Sequence, residues 1–393
     1  VTASGPDPLL AWELLTDGER SVRERVRAFC DEHVAPGAAG RWERAEIPLD
    51  LVPRLADLGV VGGTTRGHGC PGLSAVAAGL VDMELARADS GLFALFGAHS
   101  DLAMGTIAAL GSEQQRARWL PAMARMERIG AFALTEPEHG SDASALATRA
   151  RGVEGGGVRI DGVKRWIGNG TIADVIVVWA RGDDGEVGGW LVEGDAPGLV
   201  RRRIDGKLAL RSSWQAELIL EDVPVPAEAR LPGARRFADV SRILAGTRSG
   251  IAWQALGHAI ACHELAVAHV AERRQFGAPL AAFQLVQERL ARMAAEIAAL
   301  QLMCVRIGRL LDEGRLTVPM ASLVKMHAAQ AARRVAAPAR DLLGGDGILL
   351  ERGVARHLAD LEAVVTYEGT DFVNALIVGR EITGLAAFAP PAD

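Results

Sequence analysis

The strongest constraint on this chain is a change of period that happens twice. From Pro8 to about Arg128 apolar residues recur at helical spacing, as in LLAWELLTDGERSVRERVRAFCDEHV and LDLVPRLADLGVVG, with Pro and Gly between segments. Between about Ile129 and Arg235 the pattern breaks into short β-branched runs such as DVIVVWA, GGWLVEG and AELILEDVPVP, separated by Gly and Asp clusters. From about Phe237 to Thr383 the helical period returns, in segments long enough for an antiparallel bundle. A sequence of period 3.6 cannot bury one face of a strand, and one of period 2 cannot bury one face of a helix. The expected fold is therefore α+β: an N-terminal helical domain (1–128), a middle antiparallel β domain (129–235) and a C-terminal four-helix bundle (236–393). Two inter-domain clefts follow, where ligand sites tend to lie. The glycines of 152–158 read as a hairpin tip.

Charge and cysteine usage exclude several functions. With 43 basic against 49 acidic residues and no sustained Lys/Arg stripe, the chain has no electrostatic footprint for nucleic acid. The one tight basic run, Arg201 to Arg203, reads as a solvated turn. Cys30, Cys70, Cys262 and Cys304 are too scattered for a C-x-x-C motif, and no His pair has ligand spacing, so no metal is expected. No window approaches roughly 18 uninterrupted apolar residues, and VTASGPDPLLAWELL lacks a basic stretch followed by a cleavable apolar one. The expectation is a cytoplasmic protein without a membrane partner.

Several segments gather polar and small residues where main chain could approach a ligand. Phe132-Ala-Leu-Thr-Glu-Pro-Glu-His-Gly-Ser-Asp142 enters the β region, and Gly162-Val-Lys-Arg-Trp-Ile-Gly-Asn-Gly170 holds an indole beside a sharp turn. Glu272-Arg-Arg-Gln-Phe-Gly277 follows a long helix; Leu343-Gly-Gly-Asp-Gly347 and Thr366-Tyr-Glu-Gly-Thr370 come near the end. With these motifs in this order through nearly the whole chain, the sequence resembles the acyl-CoA dehydrogenase family, and within it the glutaryl-CoA dehydrogenase branch. The resemblance implies a homotetramer with one FAD per subunit, held between the β domain and the C-terminal bundle and completed by a neighbouring subunit. It also implies an acyl-CoA or acyl-carrier-protein substrate, and an electron-transfer flavoprotein or O2 as acceptor.

Carried over by position, Glu368 matches the family's catalytic base, which takes the α-proton of a thioester while the β-hydrogen leaves as hydride. A carboxylate freed from water suits that task, because desolvation raises its proton affinity. A branch of the family takes its base from the position that here holds Thr247, which cannot do that work. Phe132, Leu134, Thr135, Ser141, Trp166 and Gly168 match positions around the flavin ring and pyrophosphate. Arg273, Gln275, Phe276, Gly344 and Gly345 match those contributed across the subunit interface, and Thr370 one near the FAD adenosine. Arg248 matches a basic residue near the nucleotide end of CoA, and Tyr367 and Gly369 line the acyl end.

Two departures bear on the substrate. The arginine and serine that hold the distal carboxylate of glutaryl-CoA are replaced by Phe93 and Gly97, so Phe93 and Phe96 suggest an apolar or branched acyl group. His99 reads as a satisfied core histidine. In WIGNG, Gly168 stands where most relatives place a threonine, which removes a hydroxyl and opens volume beside the flavin. Either that loss is neutral drift in a dehydrogenase, or it makes room for oxygen chemistry. The function expected is FAD-dependent α,β-dehydrogenation of an acyl thioester. The alternative is a specialised biosynthetic flavoenzyme of the same family acting on a carrier-bound acyl or β-keto acid substrate, with decarboxylation or O2-dependent oxygenation.

Overall fold

Thr16 and Glu19 open the first long helix, α1 (Asp17–Phe29), by capping each other's main chain, with the Thr16 N–H donating to the Glu19 carboxylate at 2.9 Å. The computed structural model describes residues 6–387, so the extreme ends of the two expected outer domains lie outside the described residues. Asp89 separates α2 (Ala75–Ala88) from α3 (Ser90–Leu110). Its carboxylate accepts from the Gly91 N–H at 2.9 Å and the Ser212 hydroxyl at 3.0 Å and pairs with Arg41, so one residue caps a helix and ties it to the β domain. By length and composition α3 could cross a membrane, but 67% of its most apolar window is buried inside the protein, and it serves here as a core helix. A π-helical turn, Ala98–Met104, interrupts it.

The middle domain is a seven-stranded sheet of β1 (Gly130–Ala133), β2 (Arg149–Gly152), β3 (Val158–Gly168), β4 (Val175–Arg181), β5 (Val187–Glu193), β6 (Leu199–Arg203) and β7 (Gln215–Val225). The order is β1-β4-β2-β3-β7-β6, with β5 on β4. Most pairs are antiparallel, whereas β1 runs parallel to β4 in the register Phe132 to Val177. Both faces are buried, so alternate residues of β4 enter different cores. Val175, Val177 and Trp179 join the helices, while Ile176, Val178 and Ala180 pack with Ile160 and Leu218. The hairpin tip forms as expected, with the Val153 N–H donating to the Gly157 carbonyl at 3.0 Å. Arg201 to Arg203 are a correction: they form edge strand β6, paired with Leu218, Glu217 and Ala216, not a turn. Edge strands tolerate charge, which hid the alternation.

The C-terminal domain is built around α4 (Phe237–Glu272), with α5 (Gln284–Asp312), α6 (Val318–Leu342), α7 (Val354–Val364) and α8 (Asp371–Thr383). From Ile251 to Cys262 every residue of α4 is buried, so this stretch has no polar face. It crosses α2 closely because Gly79 and Gly257 carry no side chain: a Cβ at either would collide with Trp253 or with the Met83 carbonyl. Helices α2, α3, α4 and α6 thereby converge on the turn between α7 and α8, which contains Glu368.

Candidate active site

That turn is left-handed at two successive residues, with φ +54° at Glu368 and +86° at Gly369. For a glutamate this costs roughly 1–2 kcal/mol and persists only where the surroundings fix it. They do so here from three helices. Arg248 of α4 donates to the Glu368 carbonyl at 3.1 Å. Lys325 of α6, fully buried, donates to the Gly369 carbonyl at 2.7 Å and to that of Val365 at 3.4 Å. Asn374 of α8, also fully buried, donates to the carbonyls of Gly369 at 2.8 Å and Thr370 at 3.1 Å. The Thr370 hydroxyl caps α8 by accepting from the Val373 N–H at 3.3 Å.

The Glu368 side chain is half-buried, and its Oε2 lies 3.1 Å from the Thr247 hydroxyl. Burial pushes its carboxyl above the ordinary value, and Arg248, the Thr247 hydrogen bond and Lys325 pull it part of the way back. Lys325 is itself lowered to about 8 by burial, opposed by Glu368 and Asp371. Arg248, expected near the nucleotide end of CoA, is buried beside Glu368 with its Nε donating to the Glu368 main chain, because the left-handed turn aims that carbonyl into α4.

At the acyl end Phe93 and Phe96 are buried, Gly97 is half-buried, and all three lie on α3. Tyr367 does more than line this end. Its phenol donates to the Gln254 side-chain oxygen, and Gln254 donates to the Ser90 hydroxyl at 2.9 Å. Ser90 meets His258 at 3.0 Å, and His258 meets His357 at 2.9 Å, both rings fully or almost fully buried. Gly369 supplies a carbonyl already engaged by Lys325 and Asn374, so it buttresses the turn. His99 is a satisfied core residue: it accepts from the Gly130 N–H at 2.9 Å and sits 3.0 Å from the Met123 carbonyl. Burial lowers it to about 4, so it stays neutral.

On the side expected for the flavin, Phe132 and Leu134 turn their side chains into the core, Phe132 against Trp179 at 5.9 Å, leaving the strand end's main chain for a ligand. Trp166 is 53% exposed, at a register break in β3 and with φ +64°, so it is not core packing. Buried Lys164 beside it bonds Glu136 at 2.8 Å and the Leu134 carbonyl at 3.0 Å. Burial penalises that pair, but Lys164, Thr148 and the Ala147 amide together hold Glu136 at about 2. Asn169, with φ +62°, donates to the carbonyls of Leu95 at 2.9 Å and Gly130 at 3.2 Å, which locks α3 to β1. Gly168 is thereby pressed against the π-turn, and a Cβ there would lie 3.1 Å from that of Ala98. Ala98 thus crowds the Cβ position that a threonine there would occupy, the one heavy atom within 4 Å of it.

The donors present fit a flavin dinucleotide. Among the described residues the side chains of Thr135, Ser141 and Trp166 make no hydrogen bond within the chain, which leaves them free to bind a ligand. Arg273, Gln275 and Phe276 lie on an exposed hairpin formed by Arg274–Gln275 and Ala278–Pro279, and Phe276 is 93% exposed. Gly344 and Gly345 are exposed, with nothing within 4 Å of where a Cβ would sit, in the turn that ends α6. Sequence reading missed Lys325, Asn374 and Gln254. Each is a polar residue on the buried side of a helix, which helical spacing alone could have flagged.

Comparisons with known proteins agree with this geometry. Family models described as the N-terminal, middle and C-terminal domains of acyl-CoA dehydrogenase match residues 16–127, 131–223 and 237–383. The chain is 32% identical over 375 residues to the short-chain specific acyl-CoA dehydrogenase of Bos taurus mitochondria, covering 94% of this chain and 90% of that one. A glutaryl-CoA dehydrogenase structure from Mycobacterium smegmatis superposes with TM-score 0.93 at 42% identity, covering 96% of this chain and 97% of that one. A second structure of a glutaryl-CoA dehydrogenase from that organism, in complex with FADH2, gives TM-score 0.94 at 40% identity over the same shares.

Proposed function

The chain belongs to the acyl-CoA dehydrogenase family, and on that premise we propose that it dehydrogenates an acyl thioester whose acyl group carries no distal carboxylate. It is a flavin-dependent oxidoreductase acting on CH–CH bonds, with FAD as cofactor. The observation that carries the reading is Glu368, held half-buried in a left-handed turn between Thr247, Arg248 and Lys325. Burial strengthens it as a base, and the two nearby cations oppose that rise in its proton affinity. Thr247 fixes Oε2 toward the α-carbon, and Glu368 takes the α-proton onto its carboxylate. FAD, when bound, supplies the two-electron acceptor for the β-hydrogen.

Thr135, Ser141, Trp166 and the main chain at Phe132, Leu134 and Gly168 would hold the cofactor from this chain. Arg273, Gln275, Phe276, Gly344 and Gly345 would reach the site of a neighbouring copy in a homotetramer. Thr370 would approach its adenosine end. Phe93 and Phe96 support apolar or branched chain segments, and the loss of the arginine and serine anchors argues against glutaryl-CoA. Ala98 crowding the Cβ position at Gly168 supports dehydrogenation, with electrons passed to an electron-transfer flavoprotein, over oxygenation at the flavin. A carrier-bound substrate is the second reading, favoured by one observation: Arg248, assigned to the CoA nucleotide, is engaged beside Glu368.

Anaerobic mixing of the FAD-loaded protein with acyl-CoA and acyl-carrier thioesters tests this. Bleaching of the flavin with formation of an enoyl thioester supports dehydrogenation, and the faster of the two carriers identifies the handle. Absence of bleaching by every thioester would sink the reading.

A further inference from the structure

The acyl end of the site contains two carboxyl groups that proton removal does not use. Phe93, Gly97 and Asp101 stand at i, i+4 and i+8 of α3, on one face of the helix. A Cβ at Gly97 would lie 3.6 Å from Phe93 Cζ and 3.5 Å from Asp101 Oδ2, so the missing side chain leaves a niche walled by a ring and a carboxyl. Gly97 and Asp101 are half-buried, while Phe96, His99 and Ser100 beside them are buried, so the niche has an opening. Ser100 accepts from the Gly62 N–H at 2.9 Å and is hydrogen-bonded to Asp101, which orients the carboxyl.

Asp82 approaches from α2. It is 5% exposed and makes no hydrogen bond or ion pair among the described residues. Its Oδ2 is aimed at Gly250, 2.9 Å from where a Cβ there would sit. Gly250 follows Thr247 by three residues on α4, a rise of about 4.5 Å, so the carboxyl is one helical turn from the hydroxyl that holds Glu368. Burial pushes Asp82 well above the usual carboxylate range and Asp101 up to about 7; Asp101 also feels Glu368, and Asp82 feels Asp101. No cation offsets either group among the described residues, since Arg248 and Lys325 are engaged at Glu368 and Gly369.

We propose that Asp101 and Asp82 bind a hydroxyl group on the acyl chain, so that the substrate is a hydroxylated acyl thioester. The proposal rests on the dehydrogenation reading and names its substrate class. Asp82 is buried without a hydrogen-bond partner, which is costly and which an alkyl chain cannot relieve, while Asp101 is half-buried and held by Ser100. A hydroxyl donates to one carboxyl and accepts from the other while that one keeps its proton. A distal carboxylate would add a third acid to the group, and an ammonium would carry its own desolvation cost. Phe93 and Phe96 cover the apolar part of the same chain.

The test uses the FAD-loaded protein and matched acyl thioesters of one length carrying no substituent, a hydroxyl, an ammonium or a carboxylate. The hydroxylated chain is expected to give the highest kcat/KM. Asp101→Leu should lower the ratio of kcat/KM for the hydroxylated over the unsubstituted chain by roughly 10–100-fold, because a site built around a hydroxyl discriminates through its unpaired groups. Calorimetric affinity of the hydroxylated thioester for Glu368→Gln, with and without Asp101→Leu, reads the same loss without turnover, and Asp101→Asn should restore part of it. An unchanged ratio, or preference for the unsubstituted, ammonium or carboxylate chain, overturns the proposal while leaving dehydrogenation intact. No bleaching by any chain overturns both.

Discussion

Arg248 and Lys325 reach the catalytic turn from two helices and bond its main chain, whereas Asp82 and Asp101, one helical turn away, meet no cation among the described residues. Burial acts on all three carboxyls in the same direction. At Glu368 nearby positive charge limits the rise, leaving a group that can still be ionised when it must accept a proton. At the acyl end no cation limits it among the described residues, and only the Ser100 hydrogen bond opposes it at Asp101, leaving groups poised to exchange hydrogen bonds with a substituent. One desolvated site thus divides its carboxyls into a base and a recognition pair by where it places two cations.

Four changes would break or sharpen that contrast. The largest effect is expected from Glu368→Gln, which keeps the turn's shape but removes the proton acceptor. FAD should remain bound, and turnover should fall by at least the roughly 10²–10⁴-fold that general-base catalysis supplies. Activity above about a tenth of the parent's would mean that another group is the base.

Lys325→Met removes one of the cations near Glu368. The base then keeps its proton to higher pH, so the acidic limb of the kcat/KM profile should move upward and the rate at neutral pH should fall by about tenfold, equivalent to ~1.4 kcal/mol. An unshifted limb would show that Lys325 serves only as a buttress for the Gly369 carbonyl.

Asp101 gives a stability signal of the opposite kind from a paired carboxylate. Its folded form keeps a proton up to about 7, while the unfolded chain loses it near the ordinary aspartate value of 3.8. Below both values it contributes nothing. Between them stability falls as pH rises, by at most about 1.4 kcal/mol per pH unit, and above about 7 the loss is complete. Asp101→Asn should therefore gain stability relative to the parent between pH 5 and pH 8, read as urea midpoints; parallel curves would count against a neutral Asp101.

The smallest effect is expected from Gly168→Thr, where Ala98 must give way at a cost of about 1 kcal/mol. Adding Ala98→Gly should recover that loss in the thermal midpoint. If Gly168→Thr alone is neutral, the space beside it is open after all, and oxygen chemistry regains support.

Much of this site was legible in the sequence, unevenly. TYEGT pointed to Glu368, and WIGNG to an indole that the fold leaves 53% exposed. Phe93 and Gly97 raised the expectation of a substrate without a distal carboxylate, and the fold places both on α3. The Arg248 contact was not legible, because its partner is a main-chain carbonyl 120 residues away, at a residue whose left-handed conformation no local pattern announces. Asp82 and Asp101 drew no notice: in α2 and α3 each reads as one carboxylate on an apolar helix, and nothing nearby in the chain says that Asp82 ends inside and Asp101 half-buried.

The sequence by itself determined the α–β–α order and most of the helices and strands, and it singled out Glu368 as the candidate base, because periodicity and motif are local properties of the chain. Tertiary structure alone decided which buried charges have partners. Thr247 meets Glu368 across 121 residues of chain, and Lys325 meets Gly369 across 44. The desolvation that makes those meetings matter exists only once helices from both ends of the chain have closed over the same few atoms.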